Sequence, residues 1–191
     1  MKLLEVLPTT LYEFEAPDEI HNLIHTYTET LDWPSTSNRD NDPSWGKTRE
    51  PHLHTNSNVQ EYTKWVTEQV NKVKEVENLC CSTMLPVNMW VNLSTLGQWH
   101  HRHTHKWSFL STIYYVSGEE GPTWFSRLTD YHNQPMQLKR DEERDIIYKH
   151  FPKPKTLLVF PSTLEHSVSE NISEVPRITV SANFLPGGKV G

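Results

Sequence analysis

The sequence predicts an α+β chain, mainly β, in which two helices precede a run of short strands. Two observations carry this. Apolar residues recur with a helical period over residues 17–33 and 57–79, and from Val87 the period switches to two. The second half is also divided by Gly-, Pro- and Ser-rich turns, the pattern of a sandwich or barrel. At 191 residues the chain reads as one domain, 1–191, with a core large enough to fold. Only 35 % of its residues are apolar, but seven Trp, seven Tyr and six Phe each bring a large area to bury.

Each element follows from local chemistry. Residues 3–14 read as a short strand, a turn at Pro8 and a second extended piece. Pro17 suits the start of a helix, and Asp18 and Glu19 suit the positive end of its dipole. Ile20, Leu23, Ile24, Tyr27 and Leu31 then form one stripe, which Trp33-Pro34 ends. Residues 34–56 are polar and irregular, an arm long enough to fold over a site. Ser57 begins the second helix with a capping-box spacing to Gln60, and Val59, Tyr62, Val66, Val70 and Val73 form its stripe as far as Leu79. Pro86 separates it from the strands.

Those strands are residues 89–93, 109–116, 123–125, 156–160 and 177–184. Residues 126–155 are polar and read as a solvated excursion with room for a little helix, and residues 186–191 as a flexible tail.

Composition excludes some classes of function. Eighteen basic against 24 acidic side chains give a formal charge of −6, which argues against a general nucleic-acid or anionic-membrane surface. No stretch approaches the roughly 18 apolar residues of a membrane-spanning helix. The N-terminal residues lack a signal peptide's apolar run. Cys80 and Cys81 are adjacent, a poor geometry for a bridge, and fit reduced thiols in a cytoplasmic protein.

The chemistry concentrates at Trp99-His100-His101-Arg102-His103-Thr104-His105. Imidazole is the commonest metal-binding side chain, and residues two apart on a strand share a face. His101, His103 and His105 could therefore line up, with His100 and Arg102 opposite. Taken alone, a His-x-His is as readily an ordinary solvated or core pair. His52-Leu53-His54 is a second such pair, but without flanking strand signals.

The last strand sharpens the reading. Arg177, Thr179, Ser181 and Asn183 alternate with Ile178, Val180, Ala182 and Phe184. One reading leaves the polar face wet. The other turns Arg177 and Thr179 into a barrel, where a guanidinium wants a carboxylate.

The order of these parts resembles the Fe(II)/2-oxoglutarate-dependent oxygenases, and more closely a branch of that superfamily found in bacteria and phages. The matching pieces are His103-Thr104-His105-Lys106, Ser111-Thr112-Ile113-Tyr114-Tyr115-Val116, Phe160-Pro161-Ser162 with His166, and Arg177-Ile178-Thr179-Val180-Ser181-Ala182-Asn183. Lys106 and Thr112 depart from the branch pattern, which has Pro and Gly there.

The resemblance covers about residues 86–185. It implies a double-stranded β-helix, or jelly-roll, flanked by N-terminal helices. His103 and His166 would be iron ligands. His105 stands where the superfamily has Asp or Glu, and is expected to ligate in the carboxylate's place, the alternative being a water there. Arg177 and Thr179 would bind the distal carboxylate of 2-oxoglutarate, with Asn92 and Tyr114 or Tyr115 as further contacts. His100 and His101 fall outside the pattern.

The implied cofactors are Fe(II) and 2-oxoglutarate. The implied reaction is hydroxylation of a small molecule or protein side chain by O₂, releasing succinate and CO₂. A homodimer is compatible with the sequence and not specified by it.

Two rivals stand beside this reading. One is a cupin-type three-histidine dioxygenase that needs no 2-oxoglutarate. Gly97 and His103-Thr104-His105 fit its opening motif, but Phe109 or Leu110 stands where it wants Glu, and Thr163 where it wants Gly. The other is a metal-binding jelly-roll without enzymatic activity.

Overall fold

Helices and strands alternate in use along the chain: the helices cover one face of a large sheet, and a smaller sheet faces the other. The computed structural model describes residues 9–33, 46–126 and 146–190. The elements in order are β1 (Tyr12–Glu15), α1 (Asp18–Glu29), β2 (Lys47–Arg49), α2 (Gln60–Val76), β3 (Cys81–Ser94), β4 (His100–His103), β5 (Leu110–Ser117), β6 (Thr123–Ser126), β7 (Ile146–His150), β8 (Thr156–Pro161), β9 (Glu165–Val168) and β10 (Arg177–Val190). The large sheet has the order β1-β8-β5-β10-β3-β2 and the small one β4-β9-β6-β7. All the strand pairs named here are antiparallel. This is the double-stranded β-helix with flanking helices that the resemblance implies.

Period-two alternation divides the core in two. Leu110, Tyr114 and Val116 of β5, Leu157 and Val159 of β8, and Val180, Ala182 and Phe184 of β10 face the helices, where they meet Ile24, Tyr62, Val66, Val70 and Val73. The intervening residues Ile113, Tyr115, Leu158 and Phe160 point between the sheets and pack on Phe125 and Leu164.

Several expectations need correction. The stripe of α1 packs as expected, but the helix ends at Glu29, before Trp33. The hydroxyls of Thr28 and Thr30 donate to the carbonyls of His25 and Tyr27, and such local bonds compete with helix continuation. The capping box at Ser57 does not form. Asn56 accepts from the N–H of Asn58 at 2.9 Å and caps a separate 3₁₀ turn over Ser57–Val59, so α2 starts at Gln60.

Pro86 lies inside β3. It sits beside a register shift opposite Asn183 and Phe184, one of the few places a strand accommodates proline. Three short strands, β2, β7 and β9, depart from the expectation. β7 takes the end of the supposed excursion; residues 127–145 lie outside the described residues, as do 1–8 and 34–45.

The supposed tail is also ordered as strand. Pro186 pairs with Met84, Gly187 with Thr83 and Val190 with Cys81. Beyond Phe184, β10 is paired on one side only, which leaves an open side for Pro186. Gly188 takes φ +72° at the irregularity that follows, where a side chain would be strained.

The helix-facing side of β10 should dominate stability. Phe184→Ala is expected to cost about 3–5 kcal/mol in urea unfolding. Leu85→Ala, exposed on the neighbouring strand, should change stability by about 0.5 kcal/mol or less.

Candidate active site

Strand pairing brings the histidines together. β4 and β9 lie side by side with His103 opposite His166. His105 follows two residues after β4, where its backbone N–H donates to the carbonyl of Ser162 at 2.8 Å. The ring centroids are 4.3 Å apart for His103–His166, 5.0 Å for His103–His105 and 5.2 Å for His105–His166. One nitrogen from each ring lies within 4.8 Å of the others.

The two facing histidines are held in the same way. His103 Nδ1 lies 2.7 Å from the His101 carbonyl, and His166 Nδ1 lies 2.9 Å from the Leu164 carbonyl. A carbonyl only accepts, so each ring carries its proton on Nδ1 and presents a bare Nε2, the form a metal needs. Three imidazoles with room for further ligands fit Fe(II), and His103, His105 and His166 are the residues able to hold it.

Burial keeps two of these rings, His105 and His166, neutral. It pushes His166 well below the ordinary histidine range, with His103 adding to the shift. Burial and then His103 push His105 down to about 4. His100 is also pushed to about 4, first by burial and then by Arg177 and His103.

Arg177 enters the same cavity of about 390 Å³. It is buried, and its Nη1 donates to the carbonyls of Glu120 and Gly121 at 3.1 and 2.6 Å while Nη2 donates to that of Ser169 at 3.2 Å. Burial lowers its pKa to about 10, which leaves it charged at neutral pH. Among the described residues it has no carboxylate partner. Among the described residues no Asp or Glu lines the cavity, while two arginines, Arg102 and Arg177, do. The cleft is therefore built for an anion, in a chain whose net charge is −6.

Sequence reasoning missed what shapes the Arg177 berth. A Cβ on Gly121 would lie 2.1 Å from Arg177 Nη1, and one on Gly118 would lie 2.8 Å from Arg177 Cα. Both glycines also have positive φ, +79° and +87°. The Ser117–Pro122 turn was legible as a turn; only the strand pairing reveals that it wraps a guanidinium.

The remaining candidates divide. Thr179 and Asn92 line the cavity. Asn92 Nδ2 donates to Ser181 Oγ at 3.2 Å and to Thr179 Oγ1 at 3.4 Å, and its Oδ1 accepts from Thr48 at 3.0 Å. Part of the polar arm does therefore border the cleft, through Thr48. Tyr114 does not reach it. It faces the helices, packs against Tyr62 and Trp65, and its hydroxyl lies 3.0 Å from His21 Nδ1. The alternation along β5 sends Tyr115 inward instead, where its hydroxyl lies 2.8 Å from Thr123 Oγ1.

His100 lines the cavity beside Arg177, closer to the chemistry than its place outside the motif implied. His101 also borders it and stacks on Trp99. His52 and His54 lie together elsewhere, His52 bridged to Met89. Of the tryptophans, Trp90 lines the cavity and Trp107 is exposed. Both cysteines are free, as expected, and no helix among the described residues is long and apolar enough to cross a membrane.

Comparison with known proteins agrees with this geometry. A family model described as "Putative 2OG-Fe(II) oxygenase" matches residues 88–183. No curated protein matches the chain by sequence. Among solved structures, the non-heme α-ketoglutarate-dependent epimerase SnoN from nogalamycin biosynthesis is 8 % identical, with TM-score 0.69 over 93 % of this chain and 79 % of that one. A prolyl-4-hydroxylase from Pseudomonas putida is 12 % identical, with TM-score 0.63 over 94 % of each chain. HygX from Streptomyces hygroscopicus, solved with nickel and 2-oxoglutarate, is 14 % identical, with TM-score 0.66 over 95 % of this chain and 85 % of that one. At these identities the likeness is one of fold.

The neutral histidines give stability a definite pH dependence. Below the ordinary value of 6.5 the unfolded chain takes up protons that folded His100 and His105 refuse until about pH 4. Stability is thus complete above pH 6.5, falls as pH drops from there, and this contribution levels off below about 4. Thermal unfolding in a chelating buffer should show Tm declining through that window. His105→Gln should make the decline shallower.

Proposed function

Because the chain belongs to the 2OG-Fe(II) oxygenase family, whose cofactors are Fe(II) and 2-oxoglutarate, we propose that it hydroxylates a small molecule or a protein side chain. His103, His105 and His166 hold the iron, which when bound supplies the site for O₂ and for oxidative decarboxylation of 2-oxoglutarate to succinate and CO₂. Arg177 seats the distal carboxylate of 2-oxoglutarate with Thr179, and Asn92 fixes the hydroxyls of Thr179 and Ser181 on that wall. Protonated Arg177 gives a carboxylate two parallel donors at little further desolvation cost, since the guanidinium is already buried and oriented by three carbonyls.

One observation carries the reading: three imidazoles and a buried arginine that has no carboxylate partner among the described residues share one cavity. A cupin-type dioxygenase or a passive metal site would have no use for such an arginine. Hydroxylation is the finer part of the proposal, since an epimerase shares the fold.

The test is conversion of 2-oxoglutarate to succinate by Fe(II)-loaded protein in air. Arg177→Gln should raise KM for 2-oxoglutarate by about 100-fold or more, equivalent to roughly 3 kcal/mol, while iron binding persists. His166→Ala should lose the iron itself. Iron binding that ignores 2-oxoglutarate would favour the cupin reading instead.

A further inference from the structure

Three polar residues from the motifs named above have no task in the chemistry proposed: Ser111 near the start of β5, Ser162 after Phe160-Pro161, and Asn183 near the end of the polar face of β10. They meet. Ser111 Oγ lies 2.8 Å from Ser162 Oγ and 2.7 Å from Asn183 Oδ1, and all three side chains are buried. The far end of Asn183 touches His105: its Nδ2 is 3.3 Å from His105 Nδ1. The chain His105–Asn183–Ser111–Ser162 is a single buried line of hydrogen bonds.

Such a line can run in two directions. As placed, the Asn183 amide donates to His105 Nδ1, which puts the ring proton on Nε2. The amide's oxygen and nitrogen can exchange places at almost no steric cost. Turned over, Asn183 Oδ1 accepts from His105 Nδ1–H, its Nδ2 donates to Ser111 Oγ, and Ser111 donates to Ser162 Oγ. Each of the three contacts still pairs a donor with an acceptor. This second direction leaves His105 Nε2 bare.

The other two histidines show why that matters. His103 and His166 each receive a carbonyl from the residue two positions earlier in their own chain. Among the described residues no such carbonyl faces His105; its Nδ1 partner is Asn183. We propose that Asn183, turned by Ser111 and Ser162, is the positioning residue that supplies this carbonyl from a side chain and makes His105 the third ligand in the carboxylate's place. The inference rests on the three-histidine reading of the metal site.

The experiment is a long-range ¹H–¹⁵N spectrum of histidine-labelled full-length protein loaded with Zn(II), which needs no substrate or turnover. The spectrum should show His103, His105 and His166 all bound through Nε2 with a proton on Nδ1. Asn183→Leu should release His105 alone and weaken Zn(II) binding by about 10- to 100-fold. Asn183→Asp, which can only accept at that position, should restore His105 coordination.

His103 and His166 bound while wild-type His105 is unbound, or bound through Nδ1, would overturn the proposal and leave a two-histidine site standing. His105 still coordinated in Asn183→Leu with unchanged affinity would also overturn it. If none of the three rings binds, the three-histidine reading fails and this inference with it. Should Asn183→Leu fail to fold, the wild-type spectrum and Asn183→Asp still decide.

Discussion

The strict two-faced alternation of β10 is the constraint on which the rest depends. It runs between β5 and β3 and is paired with both over its first half. Val180, Ala182 and Phe184 go to the helices; Arg177, Thr179 and Ser181 go to the cleft, and Asn183 goes to the same side. A slip of one residue would drive a guanidinium into the apolar layer and Phe184 into the cleft, so register is enforced by both faces at once. Two of the three irregularities in its pairing, after Ile178 towards β5 and after Asn183 towards β3, bracket Thr179, Ser181 and Asn183, and Arg177 stands just before the first. Between them the strand is regular, and the spacing of its polar side chains is fixed by the pleat.

Electrostatics follow from that placement. Burial makes an added proton costly at His100, His105 and His166, and neighbouring charge adds to it, from Arg177 at His100 and from His103 at all three. Neutral rings are the ligating form, so the same burial that taxes stability in acid prepares the metal site at neutral pH. The described carboxylates of this acidic chain are kept off the cavity wall: Glu165, on the strand carrying His166, lies 3.5 Å from Arg102 and lines no part of the cavity. A dianionic cosubstrate and a cation together complement a cleft whose formal charge, among the described residues, comes from arginine.

Much of this was legible in the sequence, and the exceptions have physical causes. The helical stripes, the strand at 110–117, the distal His166 and the polar face from Arg177 all reflect one-residue periodicities, and those survive folding. Tyr114 and Tyr115 could not be separated, because β5 is buried on both faces and its sequence lacks a polar phase marker. Pairing with β8 and β10 supplies the phase. β9 is four residues, three of them polar, too short to show a period. Pro86 and the Leu185–Gly188 run read as breakers because each breaks an isolated strand. Here each strand lends the other a partner, and a bulge absorbs the irregularity. The pair Gly118 and Gly121 read as turn residues, since only tertiary structure brings Arg177 against them.

A fold shared by an epimerase, a prolyl hydroxylase and HygX cannot itself choose a substrate, so selectivity belongs to what surrounds the strand-borne machinery. In this chain the described part of the arm before α2 has that position. Gly46 packs so closely that a Cβ there would lie 2.8 Å from the His100 ring and from Ser94 Oγ. Two residues on, Thr48 donates to Asn92. The close approach at Gly46 is one of backbone, and its N–H donates to the Trp99 carbonyl at 3.4 Å. The segment that reads least like regular structure is thus fastened to the cleft at a position where a larger residue would have to displace the His100 ring or Ser94 Oγ. Substitutions elsewhere in it can alter what the cleft receives without disturbing the strand face that does the chemistry.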